Sequence, residues 1–187
     1  MEDLFSSLST YGYIILFLYS FGGGFFALVA AGALSYMGKM DITIVIIVAM
    51  VANYLGDMVL FYMARYNKNF IQPYMKNHRR KFALSHILIK KYGNWVVFIQ
   101  KYIYGVKTLV PIAFGLSKYS FVKFGIFNAP ASLLWALSFG LLSYLGGEQI
   151  IKAFGYVKEN PIIMPFILLT FASIIWWYFS HFTKKKS

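Results

Sequence analysis

Two lysines inside an apolar stretch are the most distinctive chemical groups of this 187-residue chain. The stretch covers residues 98–117, FIQKYIYGVKTLVPIAFGLS, and holds Lys101 and Lys107 on either side of Gly105. Charged side chains at membrane depth are costly, and they mark substrate or ion pathways by default. The two cations therefore predict a site that binds an anion.

The spacing of the two lysines requires a break in the helix. On a continuous α-helix, Lys101 and Lys107 would point about 120° apart. They can meet at one ligand only if the backbone breaks between them, and Gly105 is a suitable place. Pro111 removes a further helical hydrogen bond. Because irregular backbone at membrane depth must be buried in protein or line a cavity, we predict a re-entrant hairpin whose tip presents cations and N–H groups.

The composition predicts an all-α integral membrane protein with a single domain over residues 1–187. Hydrophobic residues make up 59% of the chain and charged residues 13%. The net charge of +12 lies beside apolar segments, as in cytoplasmic loops that face anionic headgroups, so we expect no nucleic-acid partner. No nucleophile–base pair, metal-ligand cluster or nucleotide motif stands out. We therefore expect no enzyme activity, no metal and no cofactor.

Residues 42–64 form the clearest predicted membrane-spanning helix, and Asp57 is their only charged side chain. Asp57 would lie about 12 Å inside the helix end. An unpaired carboxylate at that depth is unfavourable, so we expect an ion pair with a lysine, either for function or only for packing. Arg65 follows at the rim, where it would meet a lipid phosphate or extend to the interface.

The other apolar segments are separated by glycines and by basic residues. Residues 4–38 are uncharged but contain three glycines at 22–24, which predict a helix over 5–19 and a short hairpin over about 20–37; one long kinked helix is the alternative. Residues 67–92 are basic and amphipathic, which is typical of an interfacial cytoplasmic helix. Further spans are predicted at 124–147 and 161–180.

The charge distribution favours the re-entrant hairpin over a complete crossing. If residues 98–117 spanned the membrane, the three lysines at 184–186 would lie outside. A hairpin instead returns residue 118 to the cytoplasm and places the C-terminus there, as expected for a basic terminus.

A weak internal repeat predicts two opposed hairpins. Asn53 is followed by Gly56 and Asp57, and Asn128 is followed by small and polar residues at the same spacing. Each pattern comes after a candidate hairpin. This indicates an inverted repeat, with half-repeats at about 4–66 and 93–147 and a binding site near the membrane midplane.

The same residues resemble a known family. Residues 101–115, KYIYGVKTLVPIAFG, are similar to the signature of the DedA family of membrane proteins, also called SNARE-associated or VTT-domain proteins. Gly56 and Asp57, with Arg65 behind them, are similar to its second motif. Both family arginines are lysines here, and Tyr104 replaces a proline.

The resemblance implies a bacterial inner-membrane flippase or scramblase for an anionic lipid, undecaprenyl phosphate or a phospholipid. Members thought to be proton-coupled carry two acidic residues in the first hairpin, and residues 13–26 here contain none. Asp57 would then be the one candidate proton carrier. A proton-coupled small-ion or drug antiporter and a non-transporting membrane scaffold are the alternatives.

We expect membrane lipids as partners, with a homo-oligomer possible. The expected substrate-binding residues are Lys101, Lys107, Gly105, Thr108, Pro111, Asp57, Asn53, Asn128 and Arg65.

Overall fold

The computed structural model describes residues 2–67, 79–103 and 107–159, and within these ranges the regular structure is entirely helical. The predicted all-α class is therefore confirmed there. Gly105, the predicted span 161–180, the basic C-terminus and part of the basic segment lie outside the described residues. The helices are α1 (Glu2–Phe21), α2 (Phe26–Tyr36), α3 (Ile42–Tyr66), α4 (Arg79–Tyr92), α5 (Val96–Ile99), α6 (Leu109–Leu116), α7 (Phe121–Leu145) and α8 (Gly147–Glu159), with 3₁₀ turns at Gly93–Trp95 and Gln100–Tyr102.

The chain forms two compact units. The first, Met1–Gly147, contains α1 to α7. The second begins at Glu148, and its described part carries an exposed ion pair in which Lys152 Nζ lies 2.6 Å from Glu148 Oε1. The prediction of a single domain stays a prediction.

Helices α3 and α7 are the two described helices that are long and apolar enough to cross a membrane. Each has 25 residues, with mean hydropathies of 2.2 and 1.4. A helix of that length extends about 37 Å, which exceeds the hydrocarbon thickness of a bilayer. The helices predicted at 42–64 and 124–147 are thus found at 42–66 and 121–145.

The two long helices pack against each other in antiparallel directions. Near one end, a Cβ placed on Gly140 of α7 would lie 3.0 Å from Ile46 of α3. Near the other end, the rings of Phe61 and Phe124 lie 4.9 Å apart. The end of α3 at Tyr66 and the start of α7 are therefore neighbours.

Three glycines break the first apolar run, as the sequence predicts. Helix α1 ends at Phe21, and Gly23 adopts a φ of +85°, which favours glycine. The Gly23 and Gly24 amides donate to the carbonyls of Ser20 and Tyr19, at 3.0 and 2.9 Å. Because α2 starts only at Phe26, one continuous helix through this region is excluded.

The second apolar stretch is also broken. The chain passes from α5 through the turn Gln100–Tyr102, and the next described helix begins at Leu109. Pro111 is the third residue of α6, where the missing N–H disrupts no helical bond. We call residues 14–40 the first broken segment, and residues 95–118, described except for 104–106, the second broken segment.

Both broken segments approach α3 at glycines. A Cβ on Gly56 would overlap the carbonyl oxygen of Phe21, at the end of α1. A Cβ on Gly115 of α6 would overlap the carbonyl oxygen of Phe61 of α3. Small residues at helix contacts let the backbones approach closely. The first segment is thereby placed beside Gly56, next to Asp57.

Two tyrosines close the ends of these segments. Tyr13 Oη accepts a hydrogen bond of 2.9 Å from the amide of Asp41, just before α3. Tyr119 Oη donates a hydrogen bond of 2.5 Å to Asn94 Oδ1, near the start of α7. The two termini of the first broken segment therefore lie together near the start of α3. The two termini of the second lie together near the start of α7, at the opposite end of the helix pair.

A buried polar layer separates two apolar clusters along α3. Ala49 belongs to a cluster with Leu16, Leu28, Val45 and Trp135, and Phe61 belongs to one with Val97, Phe114 and Phe124. Asn53 and Asp57 lie between these positions, and both are buried. Buried polar groups must find partners within the protein, so this layer is where the site is to be sought.

Candidate functional site

Lys101 lies at the centre of the buried polar layer. Its ammonium is 2.6 Å from Asp57 Oδ2, 2.5 Å from Asn53 Oδ1 and 2.9 Å from Ser132 Oγ. A lysine ammonium has three N–H donors, and here each has an acceptor. Lys101 and Asp57 are each only 4% exposed. The expected ion pair of Asp57 is present, and its partner is Lys101.

Three parts of the fold bring this cluster together. Asn53 and Asp57 are four residues apart and therefore share one face of α3. Ser132 comes from α7, and Lys101 comes from the 3₁₀ turn in the second broken segment. The cluster thus attaches the broken segment to both long helices.

Lys107 has a different environment, although it borders the same cavity as Lys101. Its ammonium donates a hydrogen bond of 3.0 Å to the carbonyl oxygen of Gly23 and lies 4.0 Å from the centre of the Trp135 ring. A cation over an indole ring is stabilised by the negative face of the ring. Within the described residues Lys107 forms no ion pair with a carboxylate. Its charge is therefore available to an anion.

The cavity lies between the two broken segments and has a volume of about 440 Å³. Around it the ring of Phe139 contacts three other aromatic rings, those of Phe25 at 5.6 Å, Tyr102 at 5.9 Å and Trp135 at 5.8 Å between centroids. The remaining lining residues are Gly22, Gly23, Gly24, Lys101, Ile103, Lys107 and Thr108. Aromatic walls with one unneutralised cation suit an anionic group attached to an apolar body.

The structure places the other predicted site residues at different distances from this cavity. Thr108 borders it, directly before α6. Pro111 is buried in the first turn of α6, outside the cavity lining. Asn128 is buried in α7, and its side-chain amide donates a bond of 3.2 Å to the Tyr54 carbonyl, so it joins α7 to α3. Gly105 lies outside the described residues.

Arg65 binds backbone carbonyls at the end of the second broken segment. Its Nε donates to Gly115 O at 3.2 Å, and its Nη2 donates to Ser117 O at 2.8 Å and to Tyr119 O at 2.6 Å. The last carbonyls of a helix have no intrahelical donor, and a guanidinium can satisfy several of them. Arg65 therefore holds the link between α6 and α7 against the end of α3, a role that its sequence position did not indicate.

Replacing Arg65 with lysine is expected to destabilise the protein by about 1.5–3 kcal/mol. The single ammonium of lysine keeps the charge but cannot match the planar fork that reaches three carbonyls. Chemical unfolding in detergent, followed by tryptophan fluorescence, measures the change. Lys118→Gln is the control, because Lys118 is exposed in the same link. Equal stability of Arg65→Lys and native protein would contradict the role described for the guanidinium.

Sequence reasoning missed several residues of the site. Ser132 was part of the repeat pattern but was not assigned to the site. Trp135 follows the residues that resemble the family signature but was not assigned to the site, and Gly23 was noted only as one of three consecutive glycines. Gln100 gave none, and both of its side-chain polar atoms are buried without a partner among the described residues. Within those residues no group of three or more histidine, cysteine or acidic side chains could hold a metal.

The chain is similar in sequence to a protein family and to several curated proteins. A family model described as the VTT domain matches residues 14–146. Inner membrane protein YohD of Escherichia coli (strain K12) is 23% identical over 178 residues, which are 94% of this chain and 93% of YohD. Inner membrane protein YqjA of the same strain is 29% identical over 153 residues, 77% of this chain and 68% of YqjA.

A third relative has a name that states an activity. Undecaprenyl phosphate transporter A of Staphylococcus aureus (strain NCTC 8325 / PS 47) is 25% identical over 138 residues, covering 70% of this chain and 66% of that transporter. No solved structure matches the chain.

Proposed function

The chain belongs to the VTT-domain (DedA) family, and from that premise we propose that it moves an anionic lipid across the bacterial inner membrane. Undecaprenyl phosphate or a phospholipid is the proposed substrate, carried as by a flippase or scramblase. The observation that carries this proposal is Lys107, a cation that has no carboxylate partner among the described residues and borders an aromatic cavity of about 440 Å³. The names of the relatives support the same class, one as a lipid-phosphate transporter and two as inner membrane proteins.

We further propose that the two broken segments are re-entrant hairpins of an inverted repeat. Two bonds support this: Tyr13 with Asp41 closes the first segment, and Asn94 with Tyr119 closes the second at the opposite end of the helix pair. The bond from Lys107 to Gly23 joins the inner parts of the two segments. A site between two broken elements near the midplane is typical of secondary transporters.

In this proposal Lys107 is the main ligand of the lipid phosphate. The Thr108 hydroxyl borders the same cavity and can add a hydrogen bond, while Trp135 and Phe139 contact the hydrocarbon next to the headgroup. Lys101 is already neutralised by Asp57, so it can bind the headgroup only if the phosphate displaces that carboxylate. With the site empty, Asp57 is the counter-ion of Lys101. A homo-oligomer stays a prediction.

The environment of Asp57 favours lipid transport over a cation or drug antiporter. An antiporter of that kind needs a carboxylate that its ligand or proton can reach. Asp57 is 4% exposed and bonded to Lys101, and it does not line the cavity. The other alternative is a non-transporting scaffold, and a scaffold has no need of a cavity that contains a cation.

Reconstitution into liposomes tests the function. The purified protein is expected to accelerate the movement of undecaprenyl phosphate, or of a labelled phosphatidylglycerol, between leaflets. Matched controls are protein-free liposomes and the neutral alcohol undecaprenol. Failure to move any phosphate-bearing lipid, with the protein folded, would refute the proposal, and cation flux in the same vesicles would point to the antiporter.

The proposed topology makes a separate prediction. Single cysteines at Lys90 and Lys118, introduced into this cysteine-free chain, should be protected from impermeant thiol reagents applied from outside the cell. A cysteine at Lys39, which is exposed near the opposite end of the helix pair, should react. Lys185→Cys extends the test to the C-terminus, which lies outside the described residues. Reaction at position 118 together with protection at position 90 would show that the second broken segment crosses the membrane.

A further inference from the structure

Lys107 joins the two broken segments across the cavity. Its hydrogen bond to the Gly23 carbonyl links residues that are 84 positions apart in the chain. No other hydrogen bond between side chains or backbone of the two segments occurs among the described residues. Among the described residues, this ammonium therefore makes the one hydrogen bond that joins the two broken segments.

The acceptor of this bond is weaker than the ligand that the cavity is proposed to receive. A backbone carbonyl is a neutral dipole, whereas a phosphate oxygen carries charge. The ammonium is charged in both cases, but a phosphate oxygen adds the attraction between opposite charges, which a neutral carbonyl cannot supply. The buried carboxylate that could have competed for Lys107, that of Asp57, is bonded to Lys101 instead. An arriving phosphate is thus the better acceptor for Lys107.

The surroundings allow Lys107 to exchange its acceptor without leaving its place. The Trp135 ring lies 4.0 Å from the ammonium and supports the charge whichever oxygen it binds. Gly23 belongs to a turn that is held by two backbone hydrogen bonds. The Gly23 amide donates to the Ser20 carbonyl, and the Gly24 amide donates to the Tyr19 carbonyl. When Lys107 releases Gly23, the turn loses its link to the second segment.

We propose that the bond from Lys107 to Gly23 is a latch that the anionic group of the substrate opens. This inference rests on the proposed function and adds to it how the site is regulated. In the empty protein this bond holds the two broken segments together and keeps the path between them closed. A phosphate withdraws Lys107 from Gly23, and the segments separate only when a substrate is present. A lipid alcohol has no charged oxygen and leaves the latch closed.

Hydrogen–deuterium exchange of residues 19–25 tests the latch, because the sign of the change is diagnostic. Binding alone protects backbone amides, whereas release of the latch exposes them. In a phosphate-free detergent, undecaprenyl phosphate is expected to speed exchange in this region about tenfold, as loss of one hydrogen bond to a charged group implies. Undecaprenol should have no effect. Native mass spectrometry of the same samples measures how much lipid is bound.

Two variants separate the latch from general loosening. Lys107→Met has a similar length but no N–H donor, so exchange in residues 19–25 should already be fast without lipid and should not respond to it. Lys107→Arg keeps the donor and the charge and should respond as the native protein does. If Lys107→Met does not fold, the direction of the exchange change on adding lipid, measured in native protein and in Lys107→Arg, still tests the latch. Inorganic phosphate is tested in the same way. If it speeds exchange in residues 19–25, the latch is supported and the phosphate group alone opens it. If exchange rises with the phosphate-bearing lipid but not with inorganic phosphate, the latch is supported and its opening requires the whole lipid.

The failures of the latch and of the proposed function differ in their readouts. Bound undecaprenyl phosphate with unchanged or slower exchange in residues 19–25 would overturn the latch and leave the transport proposal in place. Absence of bound phosphate-bearing lipid would refute the transport proposal, and the latch would fall with it.

Discussion

Lys107→Gln is expected to lower transport of a phosphate-bearing lipid by about tenfold or more while the protein stays folded, since a hydrogen bond between charged groups is lost. Glutamine can still donate to the Gly23 carbonyl, but it has no charge to offer a phosphate. Lys107→Arg should retain transport or improve it, because the guanidinium can bind two phosphate oxygens at once. The measurement is translocation in liposomes with matched amounts of protein.

The comparison between the variants distinguishes a binding role of Lys107 from a packing role. If the lysine only fills space above Trp135, glutamine should transport almost as well as arginine. Lys90→Gln is the control, because Lys90 is exposed in the basic helix α4 and does not line the cavity. Equal transport by native protein and Lys107→Gln would end the proposal that Lys107 binds the headgroup.

Asp57→Asn is expected to destabilise the protein by about 3–5 kcal/mol, because it leaves the buried ammonium of Lys101 without a counter-charge. Asn53 and Ser132 would still accept hydrogen bonds from Lys101, but both are neutral. Chemical unfolding in detergent measures the loss. Glu148→Gln is the control, since its pair with Lys152 is exposed and contributes little.

A second substitution identifies the partner of Asp57. Lys101→Met should recover much of the stability of Asp57→Asn, because replacing both charges avoids an unpaired buried ion. Lys107→Gln should not, since Lys107 bonds to Gly23. Recovery by Lys107→Gln instead of Lys101→Met would contradict the pairing that the structure shows. Normal stability of Asp57→Asn alone would show that the ion pair contributes little.

The sequence predicted the parts of this fold that depend on local chemistry. Three consecutive glycines are poor helix formers wherever they lie, so the break after Phe21 followed from the residues alone. Long apolar runs predicted α3 and α7, because the length and hydropathy of a run can be read without knowing its neighbours in the fold. Helix ends were less accurate, since α1 continues two residues beyond the predicted end.

The sequence also determined that certain groups must find partners, but not which ones. A carboxylate as deep as Asp57 required a cation because burial of an unpaired charge is unfavourable, and this held for any packing of the chain. The choice of Lys101 over Lys107 depended on how the second broken segment lies against α3, 44 residues earlier in the chain. Two lysines six residues apart look equivalent in the sequence, yet Asp57 neutralises Lys101, whereas Lys107 bonds to the carbonyl of Gly23.

Only the tertiary structure decided the roles of Arg65 and Gly23. Both roles involve backbone carbonyls as hydrogen-bond acceptors. Every residue carries such a carbonyl, so the sequence does not show which one will be used. Arg65 reaches carbonyls 50 to 54 residues away, and Gly23 accepts from a lysine 84 residues away. Residue types determine which groups need partners, whereas close packing of the broken segments on α3 and α7 determines which atoms come within bonding distance.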